Sequence, residues 1–88
     1  MNEPIARYCS FDSARSWLKG RIEQAVGCRV TTLEVYQAHV KECARGGVIP
    51  LGRREFVNRA KDWGLIPTKG TNGVRIYRGV RLLADDAI

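Results

Sequence analysis

The sequence has 88 residues, 44% of them hydrophobic and 27% charged, which suits one small globular domain and leaves no room for a second. No apolar run approaches the roughly 20 residues that span a bilayer, and residues 1–10 lack the apolar stretch of a signal peptide. We therefore expect no transmembrane segment and no signal peptide at residues 1–10. The formal net charge is +6.

The positive charge lies in one segment of the chain. Residues 45–81 hold nine basic and two acidic side chains, a net charge of +7, which leaves −1 for the rest of the sequence. A contiguous basic segment is typical of a protein with a polyanionic partner, nucleic acid first and a membrane surface second. The alternative is a basic surface that contacts only solvent.

Residues 1–9 show no periodicity and are expected to form a flexible tail. A first helix is predicted from Ser10 or Asp12, both good N-caps, to Gly27. Its apolar positions recur at steps of three and four; they are Ala14, Trp17, Leu18, Ile22, Ala25 and Val26. Residues 28–30 are predicted as a short extended link or a stub of strand.

The second helix begins at Thr31 and Glu34, which match a capping box. We expect it to end at residues 45–47 and to be followed by a turn over 48–51. Its predicted inward stripe consists of Leu33, Tyr36, Val40, Cys43 and Ala44.

A third helix is predicted from about Gly52 to Trp63. At 100° per residue its apolar side chains gather on one side, namely Phe56, Val57, Ala60 and Trp63. A second face carries Arg54, Asn58 and Lys61, with Arg53 and Arg59 beside them.

After Gly64 the period of the pattern changes from that of a helix to that of a strand. Residues 65–69 are predicted as an edge strand, because Pro67 cannot donate to a ladder. The Asn72-Gly73 pair predicts a hairpin turn, and residues 74–82 alternate as a strand. Arg78 breaks that alternation, which suggests a bulge at Gly79. Residues 84–88 are expected to be a frayed acidic tail.

The order of these elements predicts an α+β fold, a winged helix-turn-helix with three helices and a C-terminal β-hairpin wing. Helices two and three form the helix-turn-helix, and residues 65–82 form the wing. The pattern contains no repeat and no linker, so we expect a single domain over residues 10–83.

Three stretches carry a resemblance to a known family: Leu33-Glu34-Val35-Tyr36-Gln37-Ala38, residues 50–56 (PLGRREF) and residues 73–82 (GVRIYRGVRL). Over roughly residues 14–83 the chain resembles the C-terminal winged-helix domain of primase-helicases of phages, plasmids and poxviruses, which is akin to the regulatory factor X fold. Gly52 departs from the family, which more often has Ser or Thr there. The 88 residues contain no primase or ATPase domain, so we expect either a free-standing winged helix or an excised terminal piece of a primase-helicase. The resemblance implies binding of double-stranded DNA in the replication of a mobile element, together with other replication proteins.

In a winged helix the third helix enters the major groove. Arg54 can bind guanine and Asn58 adenine in a bidentate manner, so both are candidates for base readout. Lys61 and Arg59 are expected on phosphates, although an i,i+4 pair with Glu55 would hold Arg59 away from DNA. Asn58 could equally be a solvent-facing polar residue. The full predicted DNA-binding set is Arg53, Arg54, Asn58, Arg59, Lys61, Lys69, Arg75 and Arg78.

The wing offers Lys69, Arg75 and Arg78 around a glycine-rich tip, and the sequence does not rank it against the third helix as the main reader. Tyr77 has two interpretations, as a stacking platform for a base or as a core residue packed on the helices. Single-stranded nucleic acid is a weaker candidate partner, because no row of exposed aromatic residues is predicted.

Three cysteines without a CxxC spacing do not predict a disulfide framework and favour a reducing, cytoplasmic location. Cys28, His39 and Cys43 could be combined into a zinc site, but a fourth ligand is missing and the spacing fits no common motif. No catalytic set is complete, so we expect a non-catalytic domain without metal or other cofactor. The alternatives to DNA binding are a protein-interaction winged helix and a small transcriptional regulator.

Overall fold

A strand joins the first two helices, and a hairpin follows the third helix. The computed structural model describes residues 7–83, so the predicted acidic tail at 84–88 and most of the predicted N-terminal tail lie outside it. The elements are α1 (Phe11–Arg21), β1 (Ile22–Thr31), α2 (Thr32–Arg45), α3 (Arg53–Asp62), β2 (Thr68–Lys69), a 3₁₀ turn (Thr71–Gly73) and β3 (Arg75–Leu82).

The first helix begins where the sequence predicts and ends earlier. The Ser10 hydroxyl accepts a hydrogen bond from the Ser13 N–H at 3.0 Å, which confirms the N-cap. The prediction that the helix continues to Gly27 is wrong, because Ile22–Thr31 is a strand paired with β3. Pairing with β3 satisfies the backbone groups of this segment and outweighs its helical apolar spacing. The alternative of a strand stub at 28–30 is confirmed, and this stub is the end of the longer strand.

The three strands form one antiparallel sheet in the order β1-β3-β2. Val30 lies opposite Tyr77, and Thr68 of β2 lies opposite Ile76. The strand predicted over residues 65–69 is reduced to Thr68–Lys69. The structure therefore confirms an α+β fold with a C-terminal hairpin and adds β1 as a third strand.

A bulge interrupts the pairing of β1 with β3. Gln24 pairs with Val80 and Arg29 with Arg78, so residues 25–28 of β1 stand opposite Gly79 alone. Gly79 has a φ of 74°, and the Val26 side chain is fully exposed in the bulge. The predicted irregularity at Gly79 is confirmed, but the extra residues belong to β1, and this change of register restores the inward direction of Val80.

The turn of the hairpin has the backbone that an Asn-Gly pair favours. Asn72 has a φ of 61° and Gly73 a φ of 76°, and both central residues of a type I′ turn need a positive φ. The Gly70 N–H donates to the Val74 carbonyl at 2.6 Å. A Cβ on Gly70 would lie 2.9 Å from that carbonyl oxygen, so the close approach requires glycine.

The second helix has the predicted ends and a different inward face. The Thr31 hydroxyl accepts from the Glu34 N–H at 3.0 Å, which confirms the Thr31 half of the capping box. Its buried residues are Thr32, Val35, His39 and Cys43. The predicted stripe is therefore wrong at Leu33, which is 42% exposed, and at Ala44, which is also exposed. The stripe is rotated because the His39 ring stacks on Phe56, with centroids 4.6 Å apart.

The third helix confirms its prediction, running from Arg53 to Asp62 with Gly52 as N-cap. Phe56 and Ala60 are completely buried and fix the rotation of the helix on the core. The core lies between the helices and one face of the sheet and consists of Leu18, Val30, Val35, Phe56, Ala60, Tyr77 and Val80.

Residues 7–9, which the sequence places in a flexible tail, pair with the turn before α3. The Cys9 N–H donates to the Ile49 carbonyl at 2.8 Å, and the Ile49 N–H donates to the Arg7 carbonyl at 2.7 Å. This short parallel pairing fixes the segment that leads into the N-cap of α1. Across residues 7–83, no helix has both the length and the apolar character needed to cross a membrane.

Candidate nucleic-acid interface

Five of the eight predicted DNA-binding residues line one cleft between α3 and the hairpin. The cleft, which we call the cationic cleft, encloses about 490 Å³. The predicted residues in it are Arg53, Arg54, Asn58, Lys61 and Arg75. Thr32, Val57 and Pro67 complete its lining, so the start of α2 and the segment before β2 also contribute.

Local sequence signals position these side chains. Because Phe56 and Ala60 point into the core, Arg54, Asn58 and Lys61 are carried on the exposed side of α3. The Asn72-Gly73 turn then returns the chain so that β3 begins at Arg75, beside the same helix. Lys69 lies directly opposite Arg75 in the strand pair, so the two exposed side chains point to the same side of the hairpin.

The lining of the cleft contains four cations and no acid. Across residues 7–83, no hydrogen bond or ion pair engages the side chains of Arg53, Arg54, Lys61 or Arg75. Like charges gathered without a counter-charge favour an anionic ligand, and guanidinium groups suit phosphate because they donate two parallel hydrogen bonds.

Arg59 lies outside the cleft, and its guanidinium contacts the protein. Its Nε lies 2.7 Å from Glu55 Oε2 and its Nη1 lies 3.5 Å from Asp62 Oδ2. Its Cζ also stands 4.3 Å from the centroid of the Phe11 ring, a cation–π contact that links α3 to α1. The i,i+4 pair with Glu55 predicted from the sequence is confirmed, and it directs Arg59 toward α1.

Arg78 is exposed and does not line the cleft. It lies directly opposite Arg29 of β1, so two cations share one face of the sheet. Like charges that lie directly opposite each other on paired strands destabilise the pair, and an anion bound between them would relieve the repulsion. Sequence reasoning missed Arg29, because it placed the residue in a short link; only the long-range register with β3 reveals it.

Tyr77 is a core residue. It is 1% exposed, and burial raises the pKa of its hydroxyl. This burial excludes the interpretation of Tyr77 as a stacking platform for a base and confirms its packing against the helices. Trp63 is half-buried and packs against the same core, as the helical pattern predicts.

A second groove, which we call the α2 groove, lies between α2 and the β1–β3 strand pair and encloses about 1030 Å³. Its lining combines apolar side chains with both signs of charge. The apolar lining includes Val30, Leu33, Val40, Leu82 and Leu83, and the charged lining consists of Arg21, Arg29, Glu34, Lys41, Glu42, Arg45, Arg53 and Arg81. It is thus more apolar and less uniformly basic than the cationic cleft.

Cys9, which precedes α1, lies close to His39 and Cys43 of α2, and the ligand atoms of the three side chains are all within 4.8 Å of one another. Cys28, which the sequence offered as a partner of His39 and Cys43, is instead exposed on β1. The Leu51 N–H donates to His39 Nε2 at 3.2 Å, so the proton of the neutral ring sits on Nδ1. Burial lowers the pKa of His39 and keeps the ring neutral. With one nitrogen protonated and the other engaged, the ring offers a metal no lone pair in this arrangement.

Comparison with protein-family models and with curated proteins found no match to the chain.

Proposed function

We propose that this chain is a winged-helix domain that binds double-stranded DNA. The order of elements, α1-β1-α2-α3-β2-β3, and the sheet order β1-β3-β2 support this proposal. In such a domain α2 and α3 form the helix-turn-helix, and the β2–β3 hairpin forms the wing.

The observation that carries the proposal is the convergence of α3 and the hairpin on one cleft with four cations and no acid. The 10 residues of α3 extend about 15 Å, and the B-DNA major groove is about 12 Å wide and accepts one helix. We assign base readout to Arg54 and Asn58, and phosphate contacts to Arg53, Lys61 and Arg75.

We extend the phosphate contacts to Lys69 on the wing, because it lies opposite Arg75. The resemblance to the terminal domain of primase-helicases supports a role at a replication origin of a phage, plasmid or other mobile element. We propose a binding role without catalysis of its own.

A salt titration tests this function. Binding of a labelled duplex is measured by fluorescence anisotropy between 50 and 200 mM salt. The plot of log K against log salt should have a slope of about −3.6, since each of the four assigned phosphate contacts contributes about −0.9. Single-stranded DNA and duplex RNA of the same length serve as parallel ligands. Duplex binding that is undetectable, or that does not depend on salt, would contradict the proposal.

A matched variant separates the cleft from general positive charge. Lys61→Ala should reduce the magnitude of the slope by about one, whereas Lys19→Ala should leave it unchanged. Both variants remove one lysine from an exposed helical position, but Lys19 belongs to α1 and does not line the cleft. Equal effects of the two variants would show that only net charge matters.

The α2 groove favours a second candidate function, the capture of a protein partner with an acidic, partly apolar segment. Leu33 is 42% exposed at its edge, and Arg29 and Lys41 supply positive charge nearby. Under this function, Leu33→Asp would abolish pull-down of a replication partner and leave duplex binding intact. Arg54→Ala would have the opposite pattern of effects.

A further inference from the structure

A cavity of about 460 Å³ lies between the N-terminal segment, α1 and α2. Two thiols face it from distant parts of the sequence, Cys9 on the N-terminal segment and Cys43 near the end of α2. Cys9 is half-buried and Cys43 is buried. Their sulfur atoms lie within 4.8 Å of each other.

One short turn holds both cysteine backbones in place. The Cys9 N–H donates to the Ile49 carbonyl at 2.8 Å, and the Val48 N–H donates to the Cys43 carbonyl at 2.8 Å. Two adjacent residues therefore connect the two cysteine backbones, so the approach of the thiols follows from backbone pairing as well as from side-chain rotation.

We propose that Cys9 and Cys43 are a modification site, at which exchange with a low-molecular-weight disulfide such as oxidised glutathione forms an intramolecular disulfide. The site is independent of the proposed DNA-binding function. Cys28 takes no part, because it lies exposed on β1, outside the cavity.

The exchange proceeds in two steps. The Cys9 thiolate attacks one sulfur of oxidised glutathione, which breaks that disulfide, forms a mixed disulfide on Cys9 and releases one glutathione thiolate. The Cys43 thiolate then attacks Cys9 Sγ, forms the Cys9–Cys43 bond and expels the second glutathione thiolate. The two cysteines lose two protons and two electrons, and one oxidised glutathione is reduced to two glutathione molecules.

Burial sets the order of the steps. Cys9 is the more accessible thiol, so it reacts first with the bulky reagent. Burial, followed by the neighbouring Cys9 and then Glu42, raises the pKa of the Cys43 thiol to about 11. The ring closure is therefore slow at neutral pH and accelerates as Cys43 ionises.

We assign the pH dependence of ring closure to Cys43 after considering the other groups that face the cavity. The titratable side chains around it are Arg7 and Tyr8 on the N-terminal segment and His39 and Glu42 on α2. The lining residues of α1 and of the turn at 46–48 include no titratable side chain. His39 is already neutral at pH 7, because burial lowers its pKa.

The test uses the full chain carrying Cys28→Ser, so that only the two cavity thiols remain. After treatment with oxidised glutathione in the presence of a chelator, mass spectrometry should find the loss of two hydrogen atoms, and peptide mapping should join Cys9 to Cys43. The rate of ring closure should rise with pH, because the Cys43 thiolate is the attacking group and burial raises the pKa of that thiol. Reduction with dithiothreitol should reverse the product.

Two further variants keep the test decisive. With Cys43→Ser added, the reaction should stop at one glutathione on Cys9; with Cys9→Ser added, the folded chain should remain unmodified, because Cys43 is buried. Circular dichroism establishes that each variant is folded. Stable attachment of glutathione to both thiols, or disulfide-linked dimers in place of the internal bond, would overturn the proposal.

Discussion

Two regions of this molecule hold arginines in different ways. In the cationic cleft, Arg53, Arg54 and Arg75 surround a space lined by no acid. Around α1 and the start of β1, the guanidinium groups contact the protein itself. Arg81 Nε lies 2.6 Å from Glu23 Oε2, and Arg21 donates from Nη2 to the Leu83 carbonyl at 2.9 Å.

Net charge alone therefore does not define an interface. Both regions contribute to the +7 of residues 45–81, since Arg59 and Arg81 belong to that segment as much as Arg54 does. The two groups of arginines differ in whether each guanidinium already has a partner in the protein. An arginine engaged with a carboxylate would have to exchange that partner for a phosphate.

Removing two arginines of the cationic cleft that are unpaired within residues 7–83 should weaken DNA binding strongly. The double variant Arg53→Ala/Arg75→Ala should lower affinity for duplex DNA about 30-fold, since each phosphate contact contributes about fivefold at 0.15 M salt. Its charge-matched control is Arg59→Ala/Arg81→Ala, which removes two arginines engaged with carboxylates. The control should change affinity less than about threefold, because screening acts over about 8 Å. Anisotropy titrations measure both, and equal losses would erase the distinction between the two regions.

The next effect concerns the polar residue between the cleft cations. Asn58→Ala should reduce discrimination between a selected duplex and random duplex about tenfold, because one bidentate contact to adenine contributes about 1–3 kcal/mol. Affinity for random duplex should hardly change. Competition titrations measure the ratio, and a proportional loss on both ligands would assign Asn58 to the solvent-facing alternative.

Local signals explain why the cleft was predictable. Gly52 and Gly64 mark the ends of α3, and the Asn72-Gly73 pair marks the turn. Helical periodicity then determines which side chains of α3 face outward. The strand β1 was not predictable in this way. Ile22 and Val26 continue the helical spacing of α1, and this segment is a strand only because residues on either side of its bulge pair with β3, 45 or more positions away.

The thiol cluster could not be found in the sequence for the same reason. Cys9 enters it through the pairing of residues 7–9 with Ile49, a contact across about 40 residues with no local signal. The predicted inward face of α2 was also wrong at His39, because a histidine that accepts a backbone hydrogen bond can be buried as readily as a leucine. Hydrophobic periodicity identifies the face that apolar residues occupy. It does not identify a polar side chain that is buried because it has a hydrogen-bond partner.

A smaller effect is the pH dependence of stability, which comes from His39 in the core and not from the cationic cleft. Burial lowers the pKa of His39 below its ordinary value of 6.5, so the unfolded chain binds a proton at a higher pH than the folded chain. Stability should therefore be full above about pH 6.5 and fall as the pH drops below it, by at most about 1.4 kcal/mol per pH unit for one proton. Urea denaturation at pH 7.5 and 5.5 measures this change. His39→Gln should remove that part of the pH dependence, while Arg54→Ala should retain it.

The smallest expected effect is a test of Tyr77 as a purely internal residue. Its buried hydroxyl has no hydrogen-bond partner within residues 7–83. Tyr77→Phe keeps the ring and removes the unsatisfied group, so the free energy of unfolding should stay level or rise by up to about 1 kcal/mol. Tyr36→Phe is the matched control, because the Tyr36 hydroxyl donates to the Leu51 carbonyl at 2.9 Å, and its loss should cost about 1 kcal/mol. Urea denaturation compares the two. Duplex affinity should be unchanged in Tyr77→Phe, and a clear loss of stability there would mean that the hydroxyl has a partner, such as a buried water.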